Sequence, residues 1–282
     1  MKLFGYPKFD EKGVRTLCTY TNEYSHMLMD IRIYRMKAGE TRSFARPGEE
    51  IALLLQAGSG QLAVHTEGKL DHKSIFAHRQ DVFTEGPYAA HVSTTGVIEF
   101  TAASDSEFLV QCTHNNKEFE PKLYAPEDVM LVASTQGKYG NVANRMVNTV
   151  FDYEHEPWSN MVLGEVMNDR GNWSGYLPHS HPQPECYYFL FDRPEGFGAS
   201  FVGDQVYKST NGSFSAIPGG ALHPQAVAPG YRMYTVWMIR HLDGQPWLQT
   251  DRCEDERYVW LHDAVQNVKP IDGYWAIKEH KS

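Results

Sequence analysis

Cysteine is rare in this 282-residue chain: Cys18, Cys112, Cys186 and Cys253 lie far apart and form no C-x-x-C pair. That spacing gives no sign of a disulfide framework or a thiolate metal ribbon, and it reads as reduced, structural thiols in a cytosolic protein. Long apolar runs are also missing. The longest, Cys186 to Phe191, falls far short of the roughly 20 residues that span a bilayer. The opening stretch MKLFGYPKFDEKGVRTLC is broken by Gly5, Pro7, Asp10 and Glu11 and offers no apolar core for a signal peptide. Positive charge is in deficit, with 26 Lys and Arg against 35 Asp and Glu for a net charge of −9, and no basic blocks. Such a balance argues against nucleic acid, whose binding rests on neutralising phosphates, and against an anionic membrane surface. Sustained helical periodicity is nearly absent.

What is present is a cadence of short strands: β-branched and aromatic residues alternating with period 2 between Gly, Pro, Asn and Asp turns. In the first half strands are expected near Asp30–Met36, Glu50–Leu55, Gln61–Val64, Ala89–Ser93, Val97–Ala102 and Phe108–Cys112. The second half repeats the cadence at Met161–Met167, Cys186–Phe191, Gly198–Val202, Gly212–Ile217, Gln225–Ala228 and Tyr231–Ile239. Between them, Asn115 to Asn144 reads as a linker or crossover. Helix is expected only in short pieces, such as Glu254–Ala264. The fold class is therefore all-β, with two similar barrels or sandwiches in tandem, 1–125 and 126–282.

Of the 13 histidines, two form His179-Ser180-His181, followed by Glu185. On an extended segment, side chains at i and i+2 face the same way, so both imidazoles can reach one ion. Pro178, Pro182 and Pro184 hold the segment extended, and Glu185 adds an anionic oxygen. A second pattern follows, Gly212-x5-Pro218-x-Gly220-x2-His223, in which the turn residues project His223 from a hairpin. The set His179, His181, Glu185 and His223 suits a divalent metal, with zinc favoured and Mn, Fe, Co or Ni acceptable, and leaves positions open for substrate. In the first half His65, His72, His78 and His91 are scattered and read as ordinary imidazoles.

These two motifs resemble the paired signatures of the cupin superfamily, whose double-stranded β-helix (jelly-roll) barrels bind metal through two His and a Glu from the first motif and one His from the second. Trp173 and Asp192 replace the glycines that usually bracket the first motif, and Val227 stands where an asparagine often follows the second. The chain further resembles the 5-deoxy-glucuronate isomerase family of inositol catabolism, a bicupin family. The likeness runs through Ala38-Gly39-Glu40, Val82-Phe83 to Pro87, Asn141-x3-Arg145-x2-Asn148, Glu165, Trp173-Ser174-Gly175-Tyr176, Pro178 to His181, Gly196-Phe197-Gly198, His223-Pro224 and Pro229-Gly230-Tyr231. One departure concerns the mouth of the site: only Pro182-Gln183-Pro184 separates His181 from Glu185, where the family usually has a longer acidic insertion.

The resemblance implies an aldose–ketose isomerisation of a sugar acid, 5-deoxy-glucuronate to 5-dehydro-2-deoxy-gluconate, with a degenerate first barrel and a metal site in the second. Such a reaction removes a proton beside a carbonyl and returns it to the neighbouring carbon through an enediolate. The base is not specified by the sequence; Tyr188, Tyr234, Gln225 and His241 are candidates. Arg145 is the preferred clamp for a uronate carboxylate, with Arg232 and Arg240 as alternatives. Trp173 and Tyr176 are candidates for a sugar-lining role, whereas Trp247 and Trp260 read as packing. A homo-oligomer is expected because strand edges need cover. Two other readings share the ligand set or the fold: a cupin dioxygenase and a non-catalytic sugar-binding cupin.

Overall fold

The computed structural model describes residues 1–264. Helix among them is confined to three-residue 3-10 turns and Leu261–Ala264, and all named strand pairs are antiparallel. The helix expected over Glu254–Ala264 is thus only its last turn, because Cys253–Glu254 is spent as a strand paired with His179–Ser180.

Strands from Val14–Cys18 to Lys122–Tyr124 pair among themselves, whereas those from Met130–Ser134 to Met233–Arg240, His179–Ser180 apart, form a seven-stranded and a four-stranded sheet. Phe4–Gly5 is the exception: it crosses to pair with Phe214–Ile217 in the second half. The stretch read as a linker holds two edge strands, Lys122–Tyr124 on Ala89–Val92 and Met130–Ser134 on Arg145–Phe151. Both are short and lack alternation: Lys122–Tyr124 has three residues, and the apolar run of Met130–Ser134 leaves Leu131 and Val132 exposed.

In the first half the expected pair of strands around Gly58-Ser59-Gly60 is one strand, Glu49–Thr66. Its first part pairs with Ala89–Val92 and Ser106–His114, and its last part with Lys73–Arg79 and Gly96–Ala102. A bulge between Leu55 and Ala57 and Gly58 at φ +103° turn it from one sheet to the other. A Cβ on Gly58 would lie 2.6 Å from the Ser106 Cα, so here glycine serves close backbone approach in a bend rather than a chain reversal.

Three apolar layers follow. Leu53, Leu55, Leu62, Val64, Phe100 and Phe108 fill the first barrel, and Phe189, Phe191, Met233, Trp237 and Ile239 belong to the core of the second. The third layer lies between the halves, with Ile31, Ile33, Leu54 and Leu109 against Phe151, Leu163, Tyr188 and Met238. The strand Glu185–Phe191 shows why its sequence is an unbroken apolar run: Tyr187, Phe189 and Phe191 face the barrel while Cys186 and Tyr188 face the other half. Both faces are covered, so alternation disappears. Cys18, Cys112 and Cys186 are buried and Cys253 is exposed, all as free thiols. Trp260, expected to pack, is 59% exposed.

Candidate active site

The site is built where two turns meet. His179 ends on the short strand His179–Ser180, Glu185 opens the strand Glu185–Phe191, and the Pro218-to-Gly220 turn docks on the first motif through a 2.8 Å bond from Gly220 N to His181 O. Gly219 packs directly on the Pro182 carbonyl, leaving no room for a Cβ. This contact carries His223 toward His181 and Glu185.

Donor atoms of His181, Glu185 and His223 lie within 4.8 Å of one another, all buried. Glu185 Oε2 is 3.0 Å from His181 Nε2 and 3.2 Å from His223 Nε2. His179 stands outside that mutual set but adjoins it, its ring centroid 4.6 Å from that of His223. Each imidazole presents Nδ1 to a backbone carbonyl: His179 to Leu177 at 2.9 Å, His181 to Gln183 at 3.0 Å and His223 to Ala221 at 2.8 Å. A proton on Nδ1 donated to each carbonyl leaves Nε2 as a free lone pair, the arrangement that orients metal-binding histidines.

Burial and the close imidazole–carboxylate contacts set the electrostatics of the site. Burial alone would raise the Glu185 carboxyl, but hydrogen bonds and charge from His181 and His223 outweigh it and hold it well below the usual range. Burial, then His223 and Arg252, pushes His179 well below an ordinary imidazole, so it stays neutral. Imidazole nitrogens together with one carboxylate oxygen form a donor set that fits a divalent cation.

A cavity of about 350 Å³ opens on His179, His181 and Glu185 and is lined also by Arg145, Gln225 and Arg252. Of the expected substrate ligands, Arg145 reaches it. Trp173 and Tyr176 do not: they pack on each other at 5.7 Å, with Trp173 stacked on Phe201 and Tyr176 edge-on to Tyr139, and Ser174 and Gly175 between them line the cavity instead. Gln225 is the one base candidate on the wall, and a neutral amide cannot serve as a base. Tyr188 and Tyr234 lie on the opposite strand faces from Tyr187 and Thr235, which do line the cavity; Tyr188 accepts from Arg15 at 2.6 Å and Tyr234 donates to Glu165. His241 is buried outside the lining, accepting from Trp247 N at 2.9 Å. Arg232 contacts the Phe83 carbonyl at 3.1 Å and Arg240 lies 3.8 Å from Asp243, so neither faces the cavity.

Among the wall residues, Tyr187, Arg252 and His155 were not singled out from the sequence, and Trp247 was read only as packing. Tyr187 was readable, since it is two residues from Glu185 on one strand. Trp247 and Arg252 arrive from a distant segment, and His155 lines the cavity with its Nδ1 2.6 Å from Asp152 Oδ1; none of these carries a local signal of convergence.

A profile of the KduI/IolB family matches residues 5–261. The chain belongs to the KduI/IolB family. Among its curated relatives, the protein named 5-deoxy-glucuronate isomerase from Geobacillus kaustophilus is 28% identical over 218 residues, 72% of this chain and 75% of the relative. The protein of the same name from Bacillus subtilis (strain 168) is 26% identical over 242 residues, 79% and 85% of the two chains. Relatives with that name support an enzyme of the sugar aldose–ketose isomerase kind. In fold, an IolB-like protein from Salmonella typhimurium matches 93% of this chain and 100% of its own, with TM-score 0.80 and 20% identity. Lactobacillus farciminis oxalate decarboxylase follows the same fold with TM-score 0.66 and 12% identity, covering 95% and 94%. The architecture is that of two tandem cupin barrels. Among the described residues no helix is long and apolar enough to cross a membrane.

Proposed function

We propose that this family member is a divalent-metal-dependent isomerase that converts a sugar acid, 5-deoxy-glucuronate, to its ketose form, 5-dehydro-2-deoxy-gluconate. The observation that carries this reading is a buried cluster of three metal-type donors, His181, Glu185 and His223, the first two of which line a cavity that also holds a buried arginine. In this reading the first barrel, 1–125, serves packing, and the second, 126–282, carries the chemistry. His181, His223 and Glu185, with His179 beside them, would hold the ion. When bound it supplies a Lewis acid for the oxygens on the two reacting carbons.

The chain's own groups do the rest. Glu185 stays anionic and His179 neutral, so both are ready to meet a cation near pH 7. Arg145 binds the substrate carboxylate, and Gln225, 2% exposed with its Oε1 unpartnered, offers an amide to a sugar hydroxyl. Trp237, Trp247 and Tyr187 close the apolar side of the cavity and exclude water. His155, oriented by Asp152, is the group we assign to carrying the proton between neighbouring carbons through the enediolate. An isomerase assay on 5-deoxy-glucuronate in deuterated water tests the whole: deuterium at the carbon beside the carbonyl is expected, and absence of turnover by metal-loaded protein would remove the reading.

A further inference from the structure

Two cations face the cavity without anions. Arg145 is 7% exposed, and its one side-chain hydrogen bond is a 3.4 Å contact with Thr135 Oγ1. Burial first, then the like charge of Arg252, lowers its guanidinium to about 10, which reflects a charge held without a counter-ion. Arg252 comes from the far end of the described chain. Its Nε is buried and unpartnered, and its Nη2 lies 2.9 Å from His179 Nδ1. That nitrogen also faces the Leu177 carbonyl at 2.9 Å. A neutral imidazole that donates to Leu177 has no lone pair left for the guanidinium, so Arg252 gains nothing from the contact. Among the described residues no carboxylate stands within 4.0 Å of either guanidinium. Glu254, two residues from Arg252, is occupied by His262 at 2.6 Å. A buried cation left unpaired beside another is unfavourable unless an anion offsets it.

We propose that Arg145 and Arg252 together form a carboxylate receptor that selects sugar acids over neutral sugars. It deepens, and rests on, the sugar-acid isomerase reading by adding an arginine from a sequence-distant segment. Planar guanidiniums can take both carboxylate oxygens through parallel bonds. The receptor is tied to the metal-binding strand, because Cys253–Glu254 pairs with His179–Ser180 in register. Acid end and reacting end of the substrate are therefore positioned by the same backbone.

Calorimetric binding of D-glucuronate, D-glucose and D-glucose 6-phosphate to the full chain tests this. Glucuronate should bind at least about tenfold tighter than glucose, and Arg145→Gln and Arg252→Gln should each erase that advantage while glucose affinity holds. Arg252→Lys should recover only part of it, since an ammonium cannot make two parallel bonds. Equal affinity for glucuronate and glucose in the unaltered protein overturns the receptor, as does unchanged glucuronate affinity in Arg252→Gln. Tighter binding of the phosphate than of glucuronate overturns the carboxylate assignment. Arg252 lies on a partly exposed segment, so its variant decides the matter if Arg145→Gln fails to fold. Selective glucuronate binding without isomerase turnover would keep the receptor and remove the isomerase reading. Turnover with equal kcat/KM on acid and neutral sugars would do the reverse.

Discussion

The two halves of the molecule use the same strand cadence and differ in what fills them. In the first, Leu53, Leu55, Leu62, Val64, Phe100 and Phe108 are fully buried in one packed core. Its best-placed imidazole, His91, points away from that core. It stacks on Phe151 of the other half at 4.1 Å, with Nε2 3.1 Å from the buried Glu50. In the second half the corresponding interior keeps a cavity lined by His181 and Glu185, and His223 clusters with them. A buried His–Glu pair occurs in both halves. What separates them is whether the pair faces packed side chains or an open volume with a second and third donor, so residue identity alone does not make chemistry.

The sharpest way to break this comparison is to delete one histidine from each half. His181→Ala should bring turnover to background and abolish metal retention in elemental analysis, while circular dichroism remains that of the parent. His91→Ala should leave kcat per folded molecule unchanged and cost stability, because Glu50 loses its side-chain partner and keeps only the 2.6 Å bond from Asn160 N. Loss of turnover on deleting His91 would place chemistry in the first half and undo the distinction.

The next effect concerns the proton. His155→Gln should lower kcat by about a thousandfold, within the range for removing a general acid–base group, with KM and metal content nearly constant. A change in KM alone would make His155 a wall residue.

A third test joins the halves instead of separating them. Arg79 of the first half and Glu165 of the second form a fully buried pair, Nη1 to Oε1 at 2.6 Å and Nη2 to Oε2 at 3.1 Å, with Asn148 and Tyr234 also on the carboxylate. Arg79→Met should destabilise the protein by about 3 to 5 kcal/mol, since it strands a buried carboxylate. Combining it with Glu165→Met should recover most of that loss. Urea unfolding of the single and double variants measures both.

What the sequence disclosed follows the range of the forces involved. The His179-Ser180-His181 spacing and the Gly-Pro-Gly-His turn were legible because strand alternation and turn conformation act within a few residues. The all-β class was legible for the same reason. Arg252 and His155 were not, since their approach to the cavity depends on which distant strands pair. Tyr188 and Tyr234 attracted attention as tyrosines near the motif, but one residue of register puts each on the layer between the halves. Gly58-Ser59-Gly60 has the composition of a turn, and only its contact with Asp105 and Ser106 reveals a bend in a continuous strand.

The smallest expected effect separates a histidine inside the chemistry from one beside it. His241 is 3% exposed, and burial, then the charge of Arg240, lowers it to about 4. In the unfolded chain an imidazole titrates near 6.5. Between these values the unfolded state binds the additional proton, so stability is full above about pH 6.5 and falls as pH drops toward 4. From pH 7 to pH 5 the loss attributable to this side chain is about 2 kcal/mol. His241→Gln should flatten that part of the stability curve, measured by urea unfolding at pH 5, 6 and 7, and still offer an acceptor to Trp247 N. Metal affinity should nevertheless weaken as pH falls in parent and variant alike, because protons compete with the ion for imidazole nitrogens. A variant whose metal affinity became independent of pH would assign His241 to the metal site, and the contrast between chemical and structural histidines would have to be drawn elsewhere.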